Sequence, residues 1–210
     1  VGAHAHALDV LIRSALNLAS QHIFARKPGF GLMAVGGYGR GELAPHSDID
    51  LLFVMPEQAA KKQEPVIEFL LYLLWDMGLT VGHASRTIRQ NLSAADEDVT
   101  ICTSLLEMRP IGGDSEVADK MMAAFSKWLG RQPAAPFLSA KLEERETRIT
   151  RTGGTRYAVE PNVKDGKGGL RDLHTLFWIA KYAYRVNTIT DVLQTGIVRQ
   201  SEARSFASAQ

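Results

Sequence analysis

One segment constrains this chain more than any other. Residues 36–50 read Gly36-Gly37-Tyr38-Gly39-Arg40-Gly41-Glu42-Leu43-Ala44-Pro45-His46-Ser47-Asp48-Ile49-Asp50. A short apolar run, Leu32-Met33-Ala34-Val35, enters it, and Leu51-Leu52-Phe53-Val54 leaves it. The first reads as a buried strand entering a tight turn at the glycine pair, and Ile49 to Val54 reads as a second strand. Ten residues lie between Gly37 and Asp48. Strand side chains alternate faces, so Asp48 and Asp50 project together while Ile49 points the other way. Two adjacent carboxylates repel unless a cation sits between them. Hard divalent cations such as Mg²⁺ favour carboxylate oxygens together with substrate phosphates. A glycine turn exposes backbone N–H groups that cradle phosphate. Together these parts describe a site for a nucleoside triphosphate with Mg²⁺. Singly they say less, because a lone Asp-x-Asp is commonly a solvated strand start and a glycine cluster a plain loop. The dinucleotide-binding fingerprint fails on spacing, and no Gly-Lys-Ser/Thr follows to make a P-loop.

Composition narrows the setting. The chain has 210 residues, with 24 Lys plus Arg against 23 Asp plus Glu, a net charge of +1. That balance argues against DNA or RNA as a partner. The single cysteine, Cys102, excludes a disulfide within the chain and fits a reducing cytoplasm. No secretory signal is visible at the N-terminus. The most apolar stretch, Val66 to Met77, is too short to span a bilayer and is broken by Glu68 and Asp76, so no membrane role is expected. The chain starts without Met and stops within a helical pattern, as expected of a piece of a longer protein.

The remaining pattern is α/β. Helical spacing runs over residues 8–24, and Lys27-Pro28-Gly29 breaks it. Glu64-Pro65 opens a helix to about Met77. Leu79 to Ala84 reads as a third strand. Val99 to Met108 is ambiguous between strand and helix, and residues 115–129 and 138–150 read as helices. Trp75 and Trp128 are expected in the core. Eleven of the 18 glycines fall in four clusters: 36/37/39/41, 112/113, 153/154 and 166/168/169. Such clusters mark sharp turns or close backbone approach. The expected division is 1–130, with strands and an N-terminal helix, and 131–210, helical.

The long ungapped run Gly-Gly-Tyr-Gly-Arg-Gly-Glu-Leu-x-Pro-x-Ser-Asp-Ile-Asp-Leu-Leu resembles the polymerase-β-type nucleotidyltransferase superfamily. Within it, the run resembles the bifunctional PII uridylyltransferase/uridylyl-removing enzymes of bacterial nitrogen control. The resemblance implies a polymerase-β-type fold: a small mixed sheet flanked by helices, followed by a helical segment. It implies that Asp48 and Asp50 are catalytic and hold Mg²⁺ in a two-ion site. Gly36 and Gly37 would grip the triphosphate, Ser47 would add a hydroxyl contact, and Arg40 would either neutralise phosphate or pair with Glu42. The superfamily often has a third carboxylate on a later strand; the strand expected here has Gly82 and His83 in that region. Asp98 is a substitute candidate, with helix capping as its alternative. His83 and Arg86 are further candidates, His83 alternatively a core histidine.

A second segment, Arg145 to Arg171, holds seven basic and three acidic residues, an excess of four charges in a chain of net +1. Asn162-Val163-Lys164-Asp165-x-x-Gly168-Gly169-Leu170-Arg171-Asp172-Leu173-His174-Thr175 resembles another segment of the same family, which makes Lys164 and Arg171 nucleotide-binding candidates and singles out Asp172. A solvated basic loop capped by Asp172 is the plain alternative. Phe177, Trp178, Tyr182 and Tyr184 are expected in a helix core or interface. By the resemblance, UTP is the substrate and a tyrosine hydroxyl of the PII signalling protein the acceptor. A sister signalling enzyme with another acceptor, or a silent nucleotide-binding module, remain alternatives. The family's hydrolase and glutamine-sensing domains have no counterpart here. None of the six histidines precedes an aspartate, so neither uridylyl removal nor a glutamine response is expected.

Overall fold

The computed structural model describes residues 2–23, 27–44, 47–57, 60–151, 162–186 and 191. The candidate-loop residues Gly153 and Gly154 lie outside them, as do Pro45 and His46. The chain forms two compact units, Val1–Trp128 and Leu129–Gln210.

The first unit is built on a four-stranded sheet: β1 (Gly31–Ala34), β2 (Ile49–Met55), β3 (Val81–Thr87) and β4 (Arg109–Gly113). Their order is β3-β2-β1-β4. β1 runs antiparallel to β2 and β4, and β2 runs parallel to β3, so the sheet is mixed. Helix α1 (Gly2–Leu18) continues into a π-helical stretch, Ala19–Ile23. A single turn, α2 (Gly36–Gly39), follows β1. Helix α3 (Ala60–Asp76) links β2 to β3, and α4 (Ile88–Glu97) and α5 (Val99–Leu106) lead into β4. Helix α6 (Ser115–Leu129) closes the unit.

Alternation along β2 sorts its side chains. Ile49, Leu51, Phe53 and Met55 join the core formed with Leu8, Ile12 and Leu16 of α1 and Val66, Leu70 and Leu74 of α3. Asp50, Leu52 and Val54 therefore occupy the other face. The spacing of the α1 and α3 residues is that of one helical stripe, which is why these two helices cover one face of the sheet.

Several expectations need correction. Helix α3 begins at Ala60, not Glu64, and carries Pro65 inside it, on an exposed position where the ring meets solvent. The third strand runs Val81–Thr87, later than expected. Val99 to Leu106 is helical, and the fourth strand was not foreseen. That strand contains Pro110, Gly112 and Gly113, which lack strand propensity. It forms at the sheet edge, where proline is tolerated, with a register irregularity opposite Leu32 and Met33. Trp75 is 41% exposed rather than core and packs edge-on to Tyr72. Trp128 is half-buried and stacks on Phe125.

In the second unit, α7 (Ala134–Arg151) and α8 (Leu170–Tyr184) pack through the stacked rings of Phe137 and Tyr182, 4.0 Å apart. Trp178 and Tyr182 are buried, whereas Tyr184 is exposed.

Candidate functional site

The site grows from the junction of β1, α2 and β2. Gly36 has φ +58°, in the left-handed region where a side chain is strained. That geometry bends the chain from β1 into α2. Within the turn, the Gly39 N–H is donated to the Val35 carbonyl and the Arg40 N–H to the Gly36 carbonyl. The first N–H groups of a helical turn have no acceptor inside it, which leaves those of Gly36 and Gly37 pointing out of the turn. Val35 N–H reaches across to the Asp50 carbonyl at 3.1 Å, tying the turn to β2.

Asp50 is the second residue of β2, and Asp48 immediately precedes the strand. Asp50 is half-buried, while Asp48 and Ser47 are exposed. Burial, and then the charge of Asp48, push the Asp50 carboxyl above its ordinary value. The two acids are thus close enough to feel one another. The Asp50 carboxylate lies in a slot between two glycines. A Cβ placed on Gly36 would come within 2.9 Å of Asp50 Oδ2, and one on Gly82 within 2.8 Å of Asp50 Oδ1. Gly82 is Asp50's register partner on β3. A half-buried carboxylate raised by a second carboxylate suits a hard divalent cation. Among the described residues no group of three or more His, Cys, Asp or Glu side chains could hold a metal, so an ion at Asp48 and Asp50 would draw its remaining ligands from phosphate and water oxygens.

A buried network holds the glycine turn in place. Tyr38 Oη donates to Asp9 Oδ1 at 2.7 Å. Arg109 grips Asp9 with both terminal nitrogens, at 2.6 and 3.1 Å. The same guanidinium donates to the backbone carbonyls of Tyr38 and Gly39, each at 3.3 Å. Burial works against the Asp9 carboxylate, but the hydrogen bonds from Arg109 and Tyr38 and the charges of Arg109 and Arg13 outweigh it, so its pKa lies below the ordinary value. Burial and the Asp9 carboxylate push the Tyr38 hydroxyl upward. Sequence reasoning missed these three residues, whose positions are far apart in the chain.

Arg40 takes the pairing alternative. Its guanidinium meets Glu42 at 2.8 Å and the fully buried Glu107 side chain at 2.6 Å, so its charge is already compensated by two carboxylates. Asp98 takes the capping alternative: its side chain accepts the Thr100 N–H at 2.6 Å at the start of α5. Asp98→Ala should therefore cost about 1 kcal/mol of stability and leave the chemistry unchanged, which a melt and a transfer assay on the same sample would check. His83 is exposed beside Trp75, with ring centroids 6.1 Å apart. It pairs in register with Leu51, so alternation puts it on the face away from Asp50; it is neither a core histidine nor part of the slot.

Lys164 and Arg171 belong to the second unit. Asn162 Oδ1 accepts the N–H groups of Lys164 and Asp165, which folds the loop into a turn. Arg171 lies 3.6 Å from Asp165. Asp172 anchors the segment: it accepts from Arg145, from Arg148 and from the Gly168 N–H. Burial opposes its ionisation, yet those donors hold its carboxyl below the ordinary value. Lys164 itself is exposed. Among the described residues no helix is long and apolar enough to cross a membrane.

Residues 22–95 match the family model "Nucleotidyltransferase domain", and residues 136–210 match "GlnD PII-uridylyltransferase". A bifunctional uridylyltransferase/uridylyl-removing enzyme of Phenylobacterium zucineum is 49% identical over 206 residues, 96% of this chain. Relatives with the same name from Nitrobacter hamburgensis and Caulobacter vibrioides are each 48% identical, over 94% and 96% of the chain. The chain spans 22% of the length of these relatives. At that identity over nearly its whole length, the chain is homologous to one portion of the bifunctional uridylyltransferase/uridylyl-removing enzymes, and its residues 22–95 match a nucleotidyltransferase domain.

Proposed function

We propose that this chain transfers UMP from UTP to a tyrosine hydroxyl of the PII signalling protein and releases pyrophosphate. The observation that supports it best is the Asp50 carboxylate, lodged between Gly36 and Gly82 with Asp48 alongside. Asp48 and Asp50 would hold Mg²⁺, which when bound neutralises phosphate charge as the acceptor oxygen attacks and pyrophosphate leaves. The Gly36 and Gly37 N–H groups would orient the triphosphate tail, and Ser47 would add a hydroxyl contact. Positioning and electrostatics would supply most of the acceleration, as in other phosphoryl transfers. The acceptor hydroxyl attacks the α-phosphorus as its proton leaves, and the bond to the bridging oxygen of pyrophosphate breaks. Lys164 and Arg171 are proposed as nucleotide-binding residues of the second unit. A reducing cytoplasm is the proposed setting.

The test uses PII, UTP carrying a labelled α-phosphate, and the chain. PII should become labelled with Mg²⁺ present and remain unlabelled with EDTA or with ATP in place of UTP. Label from another nucleotide, or on another acceptor, would replace the assignment with that of a sister enzyme. Binding of UTP with no pyrophosphate release under any of these conditions would leave a silent nucleotide-binding module. The family names two activities; the expectation here is transfer alone, and release of UMP from modified PII by this chain would contradict it.

A further inference from the structure

We infer that Gly82 is a positioning residue: the side chain missing at this sheet position sets the orientation of the Asp50 carboxylate, and with it the site's hold on a divalent cation. The inference rests on the cation-holding role proposed for Asp50. Gly82 and Asp50 are register partners on neighbouring parallel strands, so their side-chain positions share one face of the sheet. A Cβ at residue 82 would sit 2.8 Å from Asp50 Oδ1, closer than carbon and oxygen tolerate without contact strain. The atom it meets is the end of a side chain, not backbone. The carboxylate, rather than the sheet, would give way.

On the other side Oδ2 lies beside Gly36, where a Cβ would come within 2.9 Å and the glycine leaves that space to the carboxylate. Asp50's backbone cannot follow, because its carbonyl accepts the Val35 N–H and its strand is paired on both sides. Each carboxylate oxygen thus faces one glycine, and the orientation Asp50 adopts is one that a side chain at residue 82 would obstruct. Gly82 does not have positive φ, so alanine meets no backbone strain there. Strand interiors generally favour alanine over glycine. A merely structural glycine would therefore respond by gaining stability or by not responding, with cation affinity unmoved.

The experiment titrates Mn²⁺ into the 210-residue chain by electron paramagnetic resonance and melts the same samples, for wild type, Gly82→Ala, Asp50→Ala and the double variant. Gly82→Ala should keep or exceed the wild-type melting midpoint and bind Mn²⁺ at least about tenfold more weakly. In the Asp50→Ala background, Gly82→Ala should change Mn²⁺ binding no further. Equal affinity in Gly82→Ala and wild type, with Asp50→Ala weakened, overturns the positioning role and leaves the proposed function standing. Wild-type affinity in Asp50→Ala overturns both. Should Gly82→Ala fail to fold, the double variant decides: recovery of folding once the carboxylate is gone supports the contact, and continued misfolding overturns it.

Discussion

Asp50→Asn should abolish nucleotidyl transfer while making the metal-free protein harder to unfold. The loss in rate should be at least about a thousandfold, the scale on which removing a preorganised charge from a phosphoryl-transfer site is felt. The gain in stability has a different origin. Burial and Asp48 raise the Asp50 carboxyl above its ordinary value of 3.8. Between that value and the raised one, the folded state holds a proton that the unfolded state has released. Stability of the metal-free protein therefore falls as pH rises through this window, and it stays lower above it. Asparagine keeps the shape and removes the charge. In EDTA, the melting midpoint of Asp50→Asn should match that of wild type at the acid end of the window and exceed it at neutral pH. Excess Mg²⁺ should close the gap by stabilising wild type alone. Identical melts at every pH, with or without Mg²⁺, would refute the strained-carboxylate account. Undiminished transfer would refute the assignment of Asp50 to the chemistry.

Arg109→Met should unfold the first unit more easily and loosen the glycine turn together. Removing the partly exposed Arg109 takes its hydrogen bonds from the buried Asp9 carboxylate and leaves it Tyr38 and, at 3.6 Å, Arg13, which costs about 2 kcal/mol, or a midpoint drop of about 6 °C. Asp9 is the charge left behind, with a side chain 7% exposed. Combining Arg109→Met with Asp9→Leu should recover part of the loss, because no buried carboxylate then remains. The pH arm has the opposite sign to that of Asp50. The carboxyl of Asp9 lies below 3.8 despite its burial. Its contribution is fully present above 3.8 and is lost as pH falls through the lowered folded value. Arg109→Met should flatten that acid limb. Arg109 also donates to the Tyr38 and Gly39 carbonyls, so transfer should fall with stability. Full stability in Arg109→Met would show that the network contributes nothing, and this is read directly from a denaturant titration.

Local sequence carried the parts of the molecule that local forces decide. The apolar runs of β1 and β2, the helical stripes of α1 and α3 and the turn at Gly36 each announce themselves within a dozen residues. β4 did not, because its Pro110 and two glycines have no preference for a strand, and only pairing with β1 makes one. The Asp9–Tyr38–Arg109 network was invisible because Arg109 and Asp9 lie 100 positions apart, and no spacing rule connects them. Gly82 looked like the place where a carboxylate was lacking. Its meaning comes from register: it is the residue across from Asp50, a fact that belongs to two strands at once. For Arg40 and Asp98 the sequence supplied both readings, and packing against Glu107 and the Thr100 N–H selected the structural one in each case.

The long reach of the Arg109 network bears on biosynthesis. Asp9, Tyr38 and both acids leave the ribosome well before Arg109 does, so the nascent chain carries every proposed metal ligand yet lacks the residue that holds the turn. Closing so wide a loop waits on the last strand of the sheet, and chains fold during synthesis as whole units become available. A half-made polypeptide therefore lacks the contact between Arg109 and the glycine turn until the last strand of the sheet has emerged.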